Sequence, residues 1–284
     1  MILLPSNHNL ADRILRFICW ICGSLVLSFF AFLFFDILIQ GYEKLSIAYI
    51  FSNSLNAGRA GGIAPMLVST FLLLLLSLVI ALPISIGSAI YLAEYTNEKQ
   101  WFSRFIRLSL SMLASVPSIV MGMFGYAFFV IALNLGFSIL SGALTLAAMI
   151  LPLLIRNIED TLRNIPDIHR LNASALGLSK FRTIFQILLP MANQGIFLAL
   201  ILGIGRAMAE TAALLYTSGY VTRMPDTIFD SGRSLSVHIF DLSMNVPGGE
   251  QSAYGSALVL VLFLLSINIL THWIGQKIQL RSIT

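Results

Sequence analysis

The sequence predicts an all-α, polytopic membrane protein with about six transmembrane helices. Three observations predict it. Hydrophobic residues make up 57% of the chain and charged residues only 11%, where soluble domains carry roughly 25%, so polar groups are too few to cover a globule. Six apolar runs, at roughly 17–39, 66–93, 106–133, 136–155, 191–216 and 256–276, reach or approach the ~20 helical residues that cross a bilayer core about 30 Å thick. Lys and Arg also gather in alternate connections between these runs, which is how a membrane protein fixes its orientation.

The elements follow in order. The first run is long for a signal h-region and no A-x-A site follows it, so it reads as a retained helix. Residues 1–16 then form a cytoplasmic amino terminus and 17–284 a transmembrane domain. Cys19 and Cys22 form a C-x-x-C inside that run. Without a βαβ setting this is no redox motif, and both residues read as small apolar side chains. Four scattered histidines (His8, His169, His238, His272) supply no metal set. The third and fourth runs are separated by "NLGFS" and predict a tight helical hairpin. Pro83, Pro117 and Pro152 lie inside runs, which membrane helices tolerate.

Arg13, Arg16, Lys99, Arg104, Arg107, Arg156, Arg163, Arg170, Lys180, Arg182, Lys277 and Arg281 fall on one side of these runs, and Lys44, Arg59, Arg223 and Arg233 on the other. This twelve-to-four asymmetry puts both termini in the cytoplasm. The net charge of +4 is therefore topological, with no nucleic-acid partner implied and the lipid bilayer as solvent. The last outer loop, roughly 217–255, is long and acidic, with Asp226, Asp230, Asp241 and Glu250.

The longest inner loop runs from Arg156 to Pro190. Asp167 is placed to cap a short helix that stops at Gly177, and Ser179 to cap a second. Ile168, Leu171 and Ala175 share a face, while Ala173, Ser174 and Gly177 keep the rest of the surface small. These residues alone allow either a helix lying on lipid or one that another protein approaches closely.

The stretch "RLNASALGLSKFRTIFQILLP" resembles the cytoplasmic loop of ABC importer permeases, whose pattern is E-A-A-x-x-x-G followed by I-x-L-P. Ala173, Gly177, Ile187, Leu189 and Pro190 fit it; Leu171 and Asn172 replace its acidic position and first alanine. The resemblance implies a type I ABC importer permease fold, with a core at roughly 62–276. It also implies that 156–190 is a coupling loop in which Ala173, Ala175, Leu176, Gly177 and Pro190 serve the ATPase. "GGIAPMLVSTFLLLLLSLVIALPISIGSAIYLAEY", "SVPSIVMGMFG", "GRAMAETAALLYTSG", "SLSVHIFDL" and "SAYGSALVLVLFLL" are similar to phosphate importer permeases, and more to the PstA-type subunit than to its PstC-type partner.

Two charges stand inside the fifth run, in "GIGRAMAETAALL". Arg206 lies about ten residues past the expected entry at Gly195, roughly 15 Å deep. A central arginine costs about 2.5–3.5 kcal/mol on insertion scales, so it should face protein or water, and Glu210 at i+4 is its expected partner. The pair is either a structural pin or part of an anion route; a guanidinium suits phosphate because it stays charged and offers a planar fork of donors. The resemblance implies that both residues are needed for transport.

No G-x-x-x-x-G-K-[ST] occurs in the chain. The resemblance then implies a transporter subunit, not an enzyme, that binds no cofactor itself, in the bacterial plasma (inner) membrane. A separate ABC ATPase subunit would bind ATP and Mg, a second phosphate permease subunit would complete the path, and an extracytoplasmic phosphate-binding protein would deliver inorganic phosphate. Molybdate or sulfate are alternative substrates of the same machine. A remote alternative, an intramembrane hydrolase using Ser256 and His272, requires sixteen helical residues, about 24 Å, to be bridged.

Overall fold

The computed structural model describes residues 10–283 except Glu98, with side chains from Asp12 to Trp273. His8 and the side chains of Lys277 and Arg281 lie outside these residues. Twelve α-helices are described: α1 (Leu10–Tyr42), α2 (Ile47–Phe51), α3 (Ala64–Ile90), α4 (Trp101–Ser115), α5 (Ser118–Gly125), α6 (Ile139–Arg163), α7 (Ile168–Ala175), α8 (Lys180–Thr183), α9 (Leu189–Ala209), α10 (Ala212–Leu215), α11 (Leu235–Met244) and α12 (Glu250–Ile283). Among the described residues, strand is confined to the antiparallel pair β1 (Ser54–Leu55) and β2 (Ala60–Gly61). Among the described residues, five helical segments are long and apolar enough to cross a membrane, or six if the bent pair of α4 with α5 and its extension is one span.

α6 is the central helix. Ser138 caps it, accepting from Ser141 N at 3.1 Å. Ile139, Ala143, Leu146, Ala147, Ile150, Leu154, Ile158 and Leu162 are all buried. Their spacing of three and four residues makes one face that is apolar for the whole helix length. α3 packs against it through small residues at every fourth position, Ser77, Ala81, Ser85 and Ala89, all essentially inaccessible. Small side chains let two backbones approach, which is how helices associate where lipid supplies no hydrophobic drive. α9 meets α6 in the same way. A Cβ on Gly195 would overlap the Thr161 side chain, and one on Gly203 would stand 3.0 Å from Leu154 Cδ2.

Pro83 and Pro152 stay within continuous helices. Pro117 does not. It holds Val116 extended at φ −67°, ψ 129°, as the residue before a proline prefers. The predicted 106–133 span is thereby broken into α4 and α5 at a bend of 101°. α5 runs on as a π-helical stretch, Tyr126–Ala132, and a short turn returns the chain to α6, as the hairpin expectation required.

Three other expectations are corrected. α6 continues two turns beyond the predicted end at 155, so Arg156 and Arg163 are helical rather than loop residues. The fifth span ends at Ala209, where Glu210 turns extended at φ −72°, ψ 126°. The region 217–255 is not an open loop but folds back on the bundle. Its helix α11 is capped by Ser234 and buries Leu235, Val237, His238 and Leu242 completely.

α1 stands apart from this core. None of its most apolar 18-residue window is buried, and Gly41 marks its close approach to α12, beside the Tyr254 carbonyl and the Leu258 side chain. Cys19 and Cys22 are free and exposed on it.

Gly195→Leu should push α9 off α6 and destabilise the subunit by about 1–3 kcal/mol, read as a lower denaturant midpoint in detergent. A Cβ on Gly205 of the same helix meets nothing within 4 Å, so Gly205→Ala should leave the midpoint unchanged or slightly raised.

Candidate functional site: an arginine-lined cavity between α4, α6 and α9

The basic ends of α4 and α6 come together around one carboxylate. Glu159, 5% exposed, accepts from Arg107 at 2.7 Å and from Arg163 Nε at 2.9 Å. A buried carboxylate is costly unless paired and hydrogen-bonded, and two guanidinium groups meet that requirement here. Both arginines also reach the Leu92 carbonyl, Arg163 at 2.7 Å and Arg107 at 3.4 Å. That carbonyl lies in the π-helical turn Tyr91–Tyr95 that ends α3. The C-terminal end of a helix dipole favours cations there.

Above this knot lies a cavity of about 320 Å³. Its walls include Arg107 and Ser111 of α4, Met149, Pro152, Arg156, Asn157, Asp160 and Arg163 of α6, and Arg206 of α9. Arg156 Nη1 donates to Ser111 Oγ at 3.4 Å. Arg206 therefore opens into a polar, accessible cavity between α4, α6 and α9. Its side chain is 40% exposed and stands 3.9 Å from Glu210 Oε1, an ion-pair distance too long for a hydrogen bond. Glu210 is the less exposed member, at 13%, and does not line the cavity. Its carbonyl accepts from Ser236 Oγ of α11 at 2.7 Å, so the end of α9 is tied to the folded-back 217–255 segment.

The folded-back segment carries its own buried pair. Arg233 Nη1 donates to Asp241 Oδ2 at 2.8 Å, with both side chains nearly inaccessible, and Arg233 Nε donates to the Tyr220 carbonyl at 3.0 Å. His238 packs beside them, filling the space that a side chain at Gly58 would need; Gly58 has φ +96°. Asp230 lies on the exposed surface, where the backbone N–H groups of Thr227 and Asp226 hold its carboxyl below the usual carboxylate range.

At the basic end, α7 and α8 project from α6. Gly177, at φ +73°, ends α7 in open space, and Ser179 caps α8 by accepting from Arg182 N, as expected from the sequence. Asp167 precedes α7 without a capping bond from its side chain; it pairs with Arg170 at 3.2 Å instead. Ala175, Leu176 and Gly177 are exposed, together with Ile168, Leu171 and Phe181. Ala173 is buried against the body of the subunit, so it is not on the outward surface where its small size suggested it. Pro190 is half-buried in the first turn of α9, away from that surface.

In sequence, Arg107, Arg156 and Arg163 read only as charges flanking the spans, and Glu159 and Asp160 do not stand out. A signal was present: Arg156, Glu159, Asp160 and Arg163 alternate in sign at helical three- and four-residue spacing. Ser256, the nucleophile of the hydrolase alternative, is buried with its hydroxyl 2.9 Å from the Tyr49 hydroxyl.

The bundle with its broken span, its polar cavity and its projecting helical loop defines the chain as a multi-pass inner-membrane transport subunit. It belongs to the family described as binding-protein-dependent transport system inner membrane component, which matches residues 82–282. It is 32% identical over 287 residues to the probable ABC transporter permease protein YqgI of Bacillus subtilis, covering 96% of this chain and 97% of that one. It is 34% identical over 245 residues to the phosphate transport system permease protein PstA of Yersinia pestis, covering 86% and 82%. Among solved structures, an inward-facing MetNI methionine ABC transporter chain superposes with a TM-score of 0.56 at 17% identity, over 76% of this chain and 94% of that one. That likeness is one of fold.

Asp241→Ala would leave Arg233 charged, buried and unpaired. It should cost about 3–5 kcal/mol, measured by unfolding in detergent. Arg223 is 71% exposed and 3.9 Å from Asp230, so Arg223→Ala should change stability by no more than about 0.5 kcal/mol.

Proposed function

We propose that this chain is the PstA-type permease subunit of an ATP-driven phosphate importer, forming half of the translocation path. The observation that carries the reading is the opening of Arg206 and Arg156 into one cavity between α4, α6 and α9, in a chain whose relatives include phosphate permeases. Arg107 and Arg163 are engaged by Glu159. Arg156 and Arg206 supply planar donor forks suited to a tetrahedral oxyanion. Glu210, beside Arg206, offsets its charge without substrate and keeps anion binding weak enough for release.

Phosphate differs from sulfate and molybdate in carrying a proton near neutral pH. Asp160 in the same cavity wall accepts a hydrogen bond from a phosphate hydroxyl and repels an oxyanion that has none to give. The cavity chemistry thus favours phosphate over the two alternatives.

Both termini and the α7–α8 loop are assigned to the cytoplasm. The exposed apolar side chains of Ile168, Leu171, Leu176 and Phe181 give a separate ATPase a surface to dock on. ATP with its Mg²⁺ is bound by that partner, and this chain holds no cofactor. A second permease subunit completes the path, and an extracytoplasmic phosphate-binding protein delivers substrate to the 217–255 side.

The test is uptake of labelled phosphate by the assembled transporter in vesicles. Arg206→Gln should lower uptake at least about tenfold, the effect of losing 1.4 kcal/mol of interaction, with assembly intact. Excess sulfate or molybdate should leave wild-type uptake unchanged. Exchanging the charges, with Arg206→Glu and Glu210→Arg together, should give an assembled but inactive transporter; near-normal uptake by that variant would make the pair scaffolding.

A further inference from the structure

The α3 terminus does more than pack. Two residues beyond the Leu92 carbonyl, Glu94 is engaged by the α7–α8 loop through both its carboxylate and its backbone carbonyl. Its carboxylate, 7% exposed, accepts from Arg170 Nη2 at 2.6 Å and Nε at 3.2 Å. Its backbone carbonyl accepts from the Lys180 ammonium, which also sits 4.3 Å from the centre of the neighbouring Tyr95 ring. Arg170 is in turn fixed to the Leu162 and Ile165 carbonyls at 2.9 and 2.8 Å.

The π-helical turn from Tyr91 to Tyr95 is thus gripped from two sides. On one side, Arg107 and Arg163 of the cavity wall hold the Leu92 carbonyl. On the other, Arg170 of α7 and Lys180 of α8 hold Glu94. A displacement of α7 pulls directly on Glu94, and the turn passes it to the carbonyl that orients two of the cavity arginines. Bonds of this kind have discrete alternatives, since a buried carboxylate must exchange one cation for another rather than stretch.

We propose that Glu94 is a positioning residue for transport, linking the position of the α7 loop to the arrangement of the arginines around the cavity. The proposal rests on the reading of α7 as the ATPase-docking segment. Arg170 is its partner in the link, and the Leu92 carbonyl is the point at which the link enters the cavity wall.

The experiment uses the assembled transporter, with its ATPase and second permease, in vesicles, and records ATP hydrolysis and labelled phosphate uptake together. Glu94→Gln and Arg170→Gln should each retain the ATPase and its hydrolysis. Uptake per ATP hydrolysed should fall about tenfold, within the range by which residues between two sites alter their coupling. Glu94→Asp, which keeps the charge, should recover most of that ratio. A purely structural role would change the amount of complex, not the ratio. An unchanged ratio in both Gln variants overturns the proposal, and so does loss of the complex in both, which would assign the pair to folding. A cysteine at Leu176, exposed on the same loop, tests the underlying reading in the wild-type background by cross-linking to the ATPase. Without a cross-link, the docking assignment falls and the proposal with it; a cross-link beside an unchanged ratio rejects the proposal alone.

Discussion

The site depends on one buried carboxylate. Glu159 sits near the basic end of the central helix, where burial would neutralise or expel an unpaired charge. Arg107 from α4 and Arg163 one turn along α6 pair with it at 2.7 and 2.9 Å. In doing so they join α6 to α4, the arm that precedes the 101° break at Pro117, and their remaining donors close the end of α3 at Leu92. Removal of the carboxylate would set two guanidinium groups against each other at the floor of the cavity. The joining of α4 to α6 beside that cavity, and of both to the end of α3, follows from meeting the needs of this single group.

The rest of the bundle is held by close approach rather than by charge. Lipid tails are as apolar as leucine, so van der Waals contact between helices has to supply the attraction. The small-residue stripe of α3 and the glycines of α9 give it on two faces of α6. In the α3 stripe the Ser77 hydroxyl turns back to its own helix, donating to the Leu74 carbonyl at 2.9 Å. The result is a rigid pair of interfaces flanking a wetter, charge-lined one. The polar interface is where alternative pairings exist, and so where motion connected with transport is expected.

The long spans are legible in the sequence because twenty apolar residues admit few other structures in lipid. Arg206 is legible for the complementary reason: a charge in such a run has to face something polar. Bends and ends are less legible. Pro83, Pro117 and Pro152 look alike in sequence, but only Pro117 interrupts its helix. α11 is hidden because ten residues are too few for a span, and because Asp241 reads as a solvent charge until Arg233, eight positions earlier, is seen beside it. Arg107, Arg156 and Arg163 pass for flanking charges because sequence gives their distance from a span end but not the space between helices. Ala173 illustrates the opposite error. Its small size reads as room for a partner, whereas it is the residue by which α7 rests on its own subunit.

The central claim is that the space between α4, α6 and α9 receives anions. It is tested most directly by a cysteine at Ser111, in the cavity wall beside Arg156, in the assembled transporter. Rates of modification by negatively and positively charged methanethiosulfonates, each normalised to a free thiol, should favour the negative reagent. Inorganic phosphate should slow that reaction, and Arg206→Gln should weaken the preference. A faster reaction with the positive reagent, or a rate indifferent to phosphate, would contradict the account.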